Sequence, residues 1–564
     1  MNRSITEALC AAVSAPVMMR HLEEFALRVK LSGTGDELQS FQYLERCLNG
    51  YGYQTALLSH DAYISLPGRA RMEWTAGTES FVPRSITHSF SCSSPAGGTR
   101  GRVVLEHDDV RGKIALIDGM ANPAASHRAT QAGAIGQIHI SVHEHIHEMC
   151  ISPVWGNPTH ETRWALPRTV VLSVSKADGE ALKARIMHGQ DVQAVLHAEV
   201  ETRWRKIPLL VAERMPENMP DAPFVLLSGH HDAWYYGVMD NGSANALMLE
   251  VARVLIAGRA RWKRGLRLCF WSGHSHGRYA GSTWYADNHW QELADRCVVH
   301  VNAESAGAKG ATVLADAPAS AELLALARDA IRVEAHSETD GLRMGRAGDQ
   351  SFWGIGIPSL FMGVSEQPAG AGDNPGAAVF GGSARKGAGY GWWWHTPEDT
   401  IDKIDPGFLV RDTRVYVQAL ERLLNDEIVP LDYVAHAEYL TAYLQALERE
   451  LSGRFDLSRL LRGAADLRDH ACRLKHCTDA GKVNRALMAA ARALVPMDYT
   501  SGDRFSHDPA LPQQPYPALD PLRLLAKTPA GSDDAKFVEV AARRAFNRVA
   551  SALHEANAAL EIGS

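Results

Sequence analysis

Phe224-Val225-Leu226-Leu227-Ser228-Gly229-His230-His231-Asp232-Ala233-Trp234 is the stretch that most constrains the fold. It begins with a short, mostly apolar run, typical of a strand buried on both faces, and continues with polar residues where that strand ends. Similar runs alternate with helical patterns between residues 206 and 428, at Leu266–Trp271, Val298–Asn302 and Pro358–Met362. This alternation predicts an α/β fold with a mostly parallel sheet.

Residues that commonly bind metals follow these strands, and the carboxyl ends of parallel strands meet at one sheet edge. Imidazole and carboxylate together suit zinc or another divalent first-row ion. The predicted ligands are His230, Asp240, His276, Glu304 and His395. Asp240, in a glycine-flanked loop, would bridge two ions, with His230 and Glu304 on one ion and His276 and His395 on the other. Asp232 is predicted to orient the imidazole of a ligand from behind.

The length of 564 residues predicts two to four domains. Residues 1–65 and 206–428 are interpreted as the catalytic domain. Residues 66–205 carry short strands with few helices, which indicates an inserted α+β domain. Residues 429–564 carry long helical patterns and are predicted to form a helical domain.

Composition excludes several classes of protein. The net charge of −7 and pI near 6.4 give no reason to expect a nucleic-acid partner. No apolar run is long enough to span a membrane, and the first 19 residues lack the core of a signal peptide. The eight cysteines are scattered and include no CxxC pair, which favours free thiols and a cytoplasmic location.

The ordered motifs resemble the co-catalytic zinc exopeptidases of the glutamate carboxypeptidase and bacterial aminopeptidase type. They are GHxDxW at 229–234, Asp240, the Gly281-Ser282 loop, NAxS at 302–305 and the HTxxDT-like run at 395–400. Residues 66–205 resemble that family's protease-associated domain, and the helices around 484–487 resemble its dimerisation domain. The resemblance implies one or two zinc ions, hydrolysis of a peptide or amide bond by activated water, and a homodimer.

The second strand's loop departs from that family, which has two adjacent glutamates, a general base and a zinc ligand. Alignment on Gly281-Ser282 places Ser275 and His276 there. Serine cannot replace a carboxylate base at neutral pH, so His274 and His231 are alternative bases. With fewer carboxylates, the metals would keep more positive charge and ionise bound water more readily. Loss of a carboxylate could also leave a single ion.

Other residues are given weaker roles. Trp394 and Asp349 are candidate substrate contacts, and Ser275 is a candidate catalytic group. The cluster His139, His143, His145 and His147 is expected in a solvated loop, with a further metal site or substrate contact as alternatives.

Three functional hypotheses follow. The first is a metal-dependent hydrolase of a peptide or amide bond in a small substrate. The second is a non-catalytic binding or scaffold protein on the same fold. The third is a metalloenzyme with non-peptidase chemistry, since a histidine-rich site also suits nickel, iron, manganese or copper.

Overall fold

The computed structural model describes residues 3–370 and 386–563. The strands are β1 Gln54–Ala76, β2 Glu79–Phe81, β3 Ser85–Thr87, β4 Thr99–Leu105, β5 Ile114–Asp118, β6 Gly136–Ile140, β7 Val170–Val174, β8 Val192–Arg214, β9 Phe224–His230, β10 Gly265–Trp271, β11 Cys297–Asn302 and β12 Ser359–Leu360.

The α-helices alternate with strands at first and then dominate the C-terminal part. They are α1 Arg3–Ala11, α2 Ala15–Phe25, α3 Gly35–Tyr51, α4 Pro123–Gln131, α5 Lys176–Met187, α6 Ala244–Leu255, α7 Ala280–Asn288, α8 Trp290–Arg296, α9 Leu324–Ala335, α10 Pro406–Asn425, α11 Tyr433–Leu451, α12 Ser458–Leu474, α13 Ala480–Tyr499, α14 Asp520–Lys527 and α15 Asp533–Gly563.

The sheet that β9 belongs to has the predicted parallel core. Its strands lie in the order β12-β11-β9-β10-β8, and β9 pairs in parallel with both β10 and β11. Every residue of β9, β10 and β11 is buried, as expected for a parallel sheet covered on both faces. The predicted α/β class is confirmed, and the polar residues after β9, β10 and β11 emerge at one edge.

Two long strands join this part to a second part of the same sheet, which is called the second sheet below. β1 and β8 each span 23 residues and pair antiparallel from Gln54↔Glu213 to Ala76↔Val192. Near one end of this ribbon, β8 pairs with β10; near the other it pairs with β4. The parallel strands β4, β5, β6 and β7 continue the second sheet.

The second sheet has a hydrophobic core of its own. It is built from residues between Met72 and Ala198, including Trp74, Ile114 and Leu196, all buried. The predicted boundaries at 65/66 and 205/206 fall inside the ribbon, near its irregularity between Pro67 and Ala70. The division into domains itself stays a prediction.

The C-terminal part packs as helices. α12 and α13 both contact α15, and α11 contacts α12 and α14. Helix α12 is amphipathic and buries Leu460, Ala464 and Leu467. All eight cysteines are free. Among the described residues, none of the helices combines the length and apolar character needed to cross a bilayer.

Truncating the centre of β9 should destabilise the protein. Leu227 is fully buried and pairs with Leu268 and Val301 on the neighbouring strands. We expect Leu227→Ala to lower the free energy of unfolding by about 2–5 kcal/mol, because it leaves a cavity. Leu27→Ala, at a side chain 67% exposed, should change it by less than about 0.5 kcal/mol. Urea denaturation followed by circular dichroism measures both, and equal effects would contradict this packing.

Candidate metal centre

His230 ends β9 with its two ring nitrogens in different surroundings. Nδ1–H donates to the backbone carbonyl of Asp232 at 2.8 Å, which leaves Nε2 directed toward the carboxylates. Nε2 lies 3.1 Å from Asp240 Oδ1 and 3.8 Å from Glu304 Oε1. Burial lowers the pKa of His230, but Asp240, Glu304 and Asp232 outweigh it and raise that pKa to about 10. The position of Nε2 therefore favours a cation.

Asp240 occupies the loop after β9 and is buried. Its own N–H and that of Met239 donate to the carboxylate of Asp399, at 3.0 and 2.8 Å. Gly237 makes the preceding turn at φ +51°, where an added Cβ would collide with the Asp240 carbonyl. Asp240 Oδ2 lies 3.0 Å from His395 Nε2. The Asp240 carboxylate thus lies between His230 and His395.

Glu304 and His274 complete the cluster. His274 Nε2 is 3.8 Å from Glu304 Oε1, and its ring stacks on His230 with centroids 3.6 Å apart. His274 Nδ1–H donates to Asp349 Oδ2 at 2.9 Å. One potential ligand atom from each of His230, His274 and Glu304 lies within 4.8 Å of the others, close enough for a shared ion.

The third imidazole with this arrangement is His395. Its Nδ1–H donates to the carbonyl of Glu148 at 2.8 Å, which leaves Nε2 toward Asp240. Burial lowers the pKa of His395 and favours its neutral form. All three imidazoles thus hold Nδ1 against an acceptor and turn Nε2 toward a carboxylate, the usual arrangement of metal-binding histidines.

The spacing of these atoms fits a bound ion. Two ligands about 2.1 Å from a tetrahedral zinc lie roughly 3.4 Å apart. The contacts of Asp240 and Glu304 with the three imidazoles range from 3.0 to 3.8 Å. Imidazole and carboxylate also suit zinc chemically, so the residues present fit such an ion.

His276 does not join this cluster, contrary to the sequence-based ligand set. Its Nδ1 lies 3.0 Å from Ser32 Oγ and 3.6 Å from Asp232 Oδ2, and its ring packs against Trp234. Its Nε2 is buried without a hydrogen-bond partner among the described residues. The loop after β10 therefore presents His274, two residues earlier, to the carboxylates.

Asp232 holds that loop in place. Its carboxylate accepts the N–H groups of His274 and Ser275 at 3.1 and 2.9 Å and the hydroxyl of Ser32 at 2.7 Å. Burial opposes its ionisation, but the adjacent His276 and His230 outweigh burial and hold the pKa of Asp232 well below its usual range. The backbone carbonyl of Asp232 orients His230, whereas the side-chain carboxylate of Asp232 holds the loop after β10. Ser275 contributes its backbone N–H to this network, while its hydroxyl is buried without a partner among the described residues.

The predicted substrate contacts have other partners. Asp349 accepts hydrogen bonds from His274 and from Ser282 Oγ at 2.8 Å, so it supports the cluster from behind. Trp394 is buried and stacks on His395 with centroids 3.6 Å apart. His231, an alternative base, points away: its Nε2 bonds Ser40 Oγ, and its ring packs edge-on against two phenylalanines, Phe25 and Phe41.

The histidine cluster of the inserted segment is buried, contrary to the expected solvated loop. His143 and His147 are 5% and 2% exposed, with their Nε2 atoms 2.9 Å apart. His147 Nδ1–H donates to the carbonyl of Trp394, and Glu148 N–H donates to that of His395 at 3.0 Å. Residues 147–148 thus bind the backbone that carries His395. The order of residues gave no signal for this contact, because they are far apart in the chain.

Residues 210–420 match the family model described as Peptidase family M28. This part of the chain is similar to the peptidase family M28 domain, and the match covers less than half of the chain. All five clustered side chains, at positions 230, 240, 274, 304 and 395, lie within the matched residues.

Curated relatives of the chain are named as peptidases. A "Probable glutamate carboxypeptidase LAMP1" of Arabidopsis thaliana is 27% identical over 319 residues, which cover 53% of this chain and 45% of the relative. "Aminopeptidase NAALADL1" of Mus musculus is 25% identical over 362 residues, covering 57% of this chain and 47% of the relative. The matches thus span less than half the length of these relatives.

Solved structures are similar in fold to about three quarters of this chain. The aminopeptidase from Aneurinibacillus sp. strain AM-1 has a TM-score of 0.56 and 19% identity, covering 74% of this chain and 96% of its own. The peptidase M28 precursor from Shewanella amazonensis SB2B has a TM-score of 0.60 and 19% identity, covering 76% and 98%. A zinc aminopeptidase from Bacillus subtilis has a TM-score of 0.54 and 19% identity, covering 73% and 96%.

Removing the Asp232 carboxylate should unfold the loop after β10. Asp232→Ala leaves two buried N–H groups and the Ser32 hydroxyl without their acceptor. We expect a loss of about 3–5 kcal/mol in the free energy of unfolding. Asp221→Ala, at an exposed carboxylate, is the matched control and should be near neutral. Chemical denaturation of both variants measures this; a near-neutral Asp232→Ala would show that the network carries little stability.

Proposed function

We propose that the chain is a metal-dependent hydrolase that cleaves an amide or peptide bond in a small substrate. The observation that carries this proposal is the convergence of three imidazole Nε2 atoms on the Asp240 and Glu304 carboxylates, each with its Nδ1 held by an acceptor. The match of residues 210–420 to a peptidase family supports the reaction class.

We further propose that one ion binds tightly, between His230, His274 and Glu304 with Asp240 beside them. His230, His274 and Glu304 each place one potential ligand atom around the same space, and His230 Nε2 lies 3.8 Å from Glu304 Oε1. On the other side of Asp240, His395 is the one clustered partner among the described residues, since His276 is turned toward Ser32. Two ligands hold an ion far more weakly than four, so a second ion would need a high metal concentration.

Zinc, or another divalent first-row ion, would polarise the substrate carbonyl and make a water molecule acidic at neutral pH. Asp349 keeps His274 in the tautomer that presents the Nε2 lone pair. The Glu148 carbonyl does the same for His395.

His395 is proposed as the group that takes the proton of the attacking water. In a single-ion centre its Nε2 remains an acceptor beside Asp240, and a neutral imidazole can accept a proton near pH 7. This assignment replaces His274 and Ser275 as candidates for the missing glutamate base.

Metal affinity distinguishes the two histidines of the loop. We expect His274→Ala to lower zinc affinity by more than roughly 100-fold, and Asp349→Ala, which removes its supporting carboxylate, by roughly 10–100-fold. The matched control is His276→Gln, which should leave zinc affinity and stoichiometry unchanged. Zinc titration against a competing chelator measures all three in folded protein. Loss of zinc in His276→Gln, with retention in His274→Ala, would return His276 to the ligand set.

Turnover distinguishes the ligands from the base. We expect His395→Ala to keep one equivalent of zinc and to lose roughly 10²–10⁴-fold in rate, the usual contribution of a general base. Chelation should abolish turnover in wild type, and zinc should restore it. The rate assay and the chelation assay use the same substrate, the one cleaved fastest in a screen of dipeptides and acyl amides. Two equivalents of zinc in wild type, with one lost in His395→Ala, would contradict the single-ion site and assign His395 as a ligand.

The other two hypotheses predict different results in the same experiments. A scaffold protein would purify without metal and would show no turnover. A metalloenzyme of different chemistry would bind metal at these side chains but cleave no amide.

The remaining proposals concern assembly and location. We propose a homodimer formed through the helical segment, where Phe537 and Val540 on α15 and Leu524 on α14 are 76%, 55% and 55% exposed. Sedimentation of wild type against Phe537→Ser tests this, since a monomeric wild type rules it out. A cytoplasmic location stays a prediction.

A further inference from the structure

A cavity of about 300 Å³ lies among the C-terminal helices, remote from the metal cluster. Three arginines line it: Arg492 on α13, Arg548 on α15, and Arg504 in the connection between α13 and α14. Thr500, Ser551 and Glu555 line it as well. The cavity opens to solvent, since Arg548 and Glu555 are exposed.

Each guanidinium is fixed by backbone carbonyls. Arg492 donates to the carbonyls of Ala294 at 2.7 Å and Cys297 at 2.6 Å, at the C-terminal end of α8. Arg504 stacks over Trp290, and one of its terminal nitrogens donates to a carbonyl. These contacts orient the charges without neutralising them.

Arg548 lies flat against a glycine. Its Nη1 donates to the carbonyl of Ser501 at 2.6 Å. The side chain also lies against Gly502, where an added Cβ would come within 2.3 Å of that Nη1. The hydrogen bond to Ser501 holds the guanidinium at the wall of the cavity.

The three charges lack acidic partners. Among the described residues, no carboxylate oxygen forms an ion pair within 4.0 Å of Arg492, Arg504 or Arg548. Glu555 accepts a hydrogen bond from Ser551 Oγ at 3.2 Å. Arg504 Nε is buried and has no hydrogen-bond partner in the described part of the chain. Three positive groups around one space favour a bound anion.

We propose that this cavity binds a small organic anion that presents a phosphate or carboxylate group to Arg504 and Arg548. Planar guanidinium groups match such oxyanions through paired N–H donors. The volume leaves room for an organic body beyond the oxyanion, and the apolar side chains of Ala493, Met497 and Val549 line that space.

The cavity and the metal cluster lie at opposite ends of β11. Arg492 binds the carbonyl of Cys297, the first residue of β11, whereas Glu304 follows the last. Six strand residues extend about 20 Å. Occupancy of the cavity and of the metal cluster can therefore be measured separately.

Calorimetric titration of the full chain with inorganic phosphate and with citrate, in chloride buffer, tests the proposal. We expect saturable binding of at least one probe, and at least roughly tenfold weaker binding in the double variant Arg504→Gln/Arg548→Gln. The probe that binds more tightly shows whether the cavity prefers a phosphate or a carboxylate. Arg544→Gln, at an exposed arginine on α15 outside the cavity, is the matched control and should bind like wild type.

Ser551→Glu covers the case in which the double variant fails to fold. It adds a negative charge at an exposed helix position on the cavity wall and should also weaken binding at least tenfold. No saturable heat from either probe in wild type would overturn the proposal. Equal affinity in wild type and Ser551→Glu would overturn it as well. Zinc content should not change in any of these variants, so failure here leaves the proposed hydrolase unaffected.

Discussion

Burying the Asp240 and Glu304 carboxylates at one sheet edge is the constraint around which the centre is built. A buried carboxylate is costly unless a cation or several donors compensate it. Here the compensation consists of imidazoles whose Nε2 atoms lie within 3.0 to 3.8 Å of the carboxylate oxygens. Fixing Nδ1 against an acceptor removes the freedom of each ring and leaves Nε2 for a cation. The loop after β10, held by Asp232, positions His274. The carboxyl ends of β9 and β11 position His230 and Glu304.

Acceptors for the imidazoles come from different parts of the chain. His230 Nδ1–H donates to the carbonyl of Asp232, two residues further along the chain. His274 Nδ1–H donates to the carboxylate of Asp349, which is distant in the sequence. The acceptor of His395 is Glu148, in the segment inserted between β1 and β8. The inserted segment therefore supports the centre directly. Its buried His147 also binds the backbone carbonyl of Trp394.

The parallel sheet and four members of the cluster could be predicted from sequence, because short apolar runs place the residues that follow them at one edge. His230 and Glu304 follow this rule at the ends of β9 and β11, and Asp240 lies in the loop after β9. His395 is far along the chain from any strand end of the described residues, and its motif at 395–400 was the signal for it. The choice between His274 and His276 could not be predicted, since it depends on which side of a short loop faces the carboxylates. That side is set by hydrogen bonds to Asp232, whose loop-shaping role no local pattern reveals. Contacts between distant segments, such as Glu148 with His395, have no periodic signature at all.

The pairing of Ala76 with Val192 has a topological consequence. The chain leaves the ribbon at one residue and returns at its partner, so the whole second sheet is an elaborated hairpin loop. The entropic cost of closing a loop rises by only about 0.6 kcal/mol for each doubling of the loop length. A module of another size can therefore replace this one at the ribbon tip without disturbing the strand register that sets the edge where the clustered side chains meet. Such an exchange must preserve the contacts of residues 147 and 148 with the backbone of Trp394 and His395.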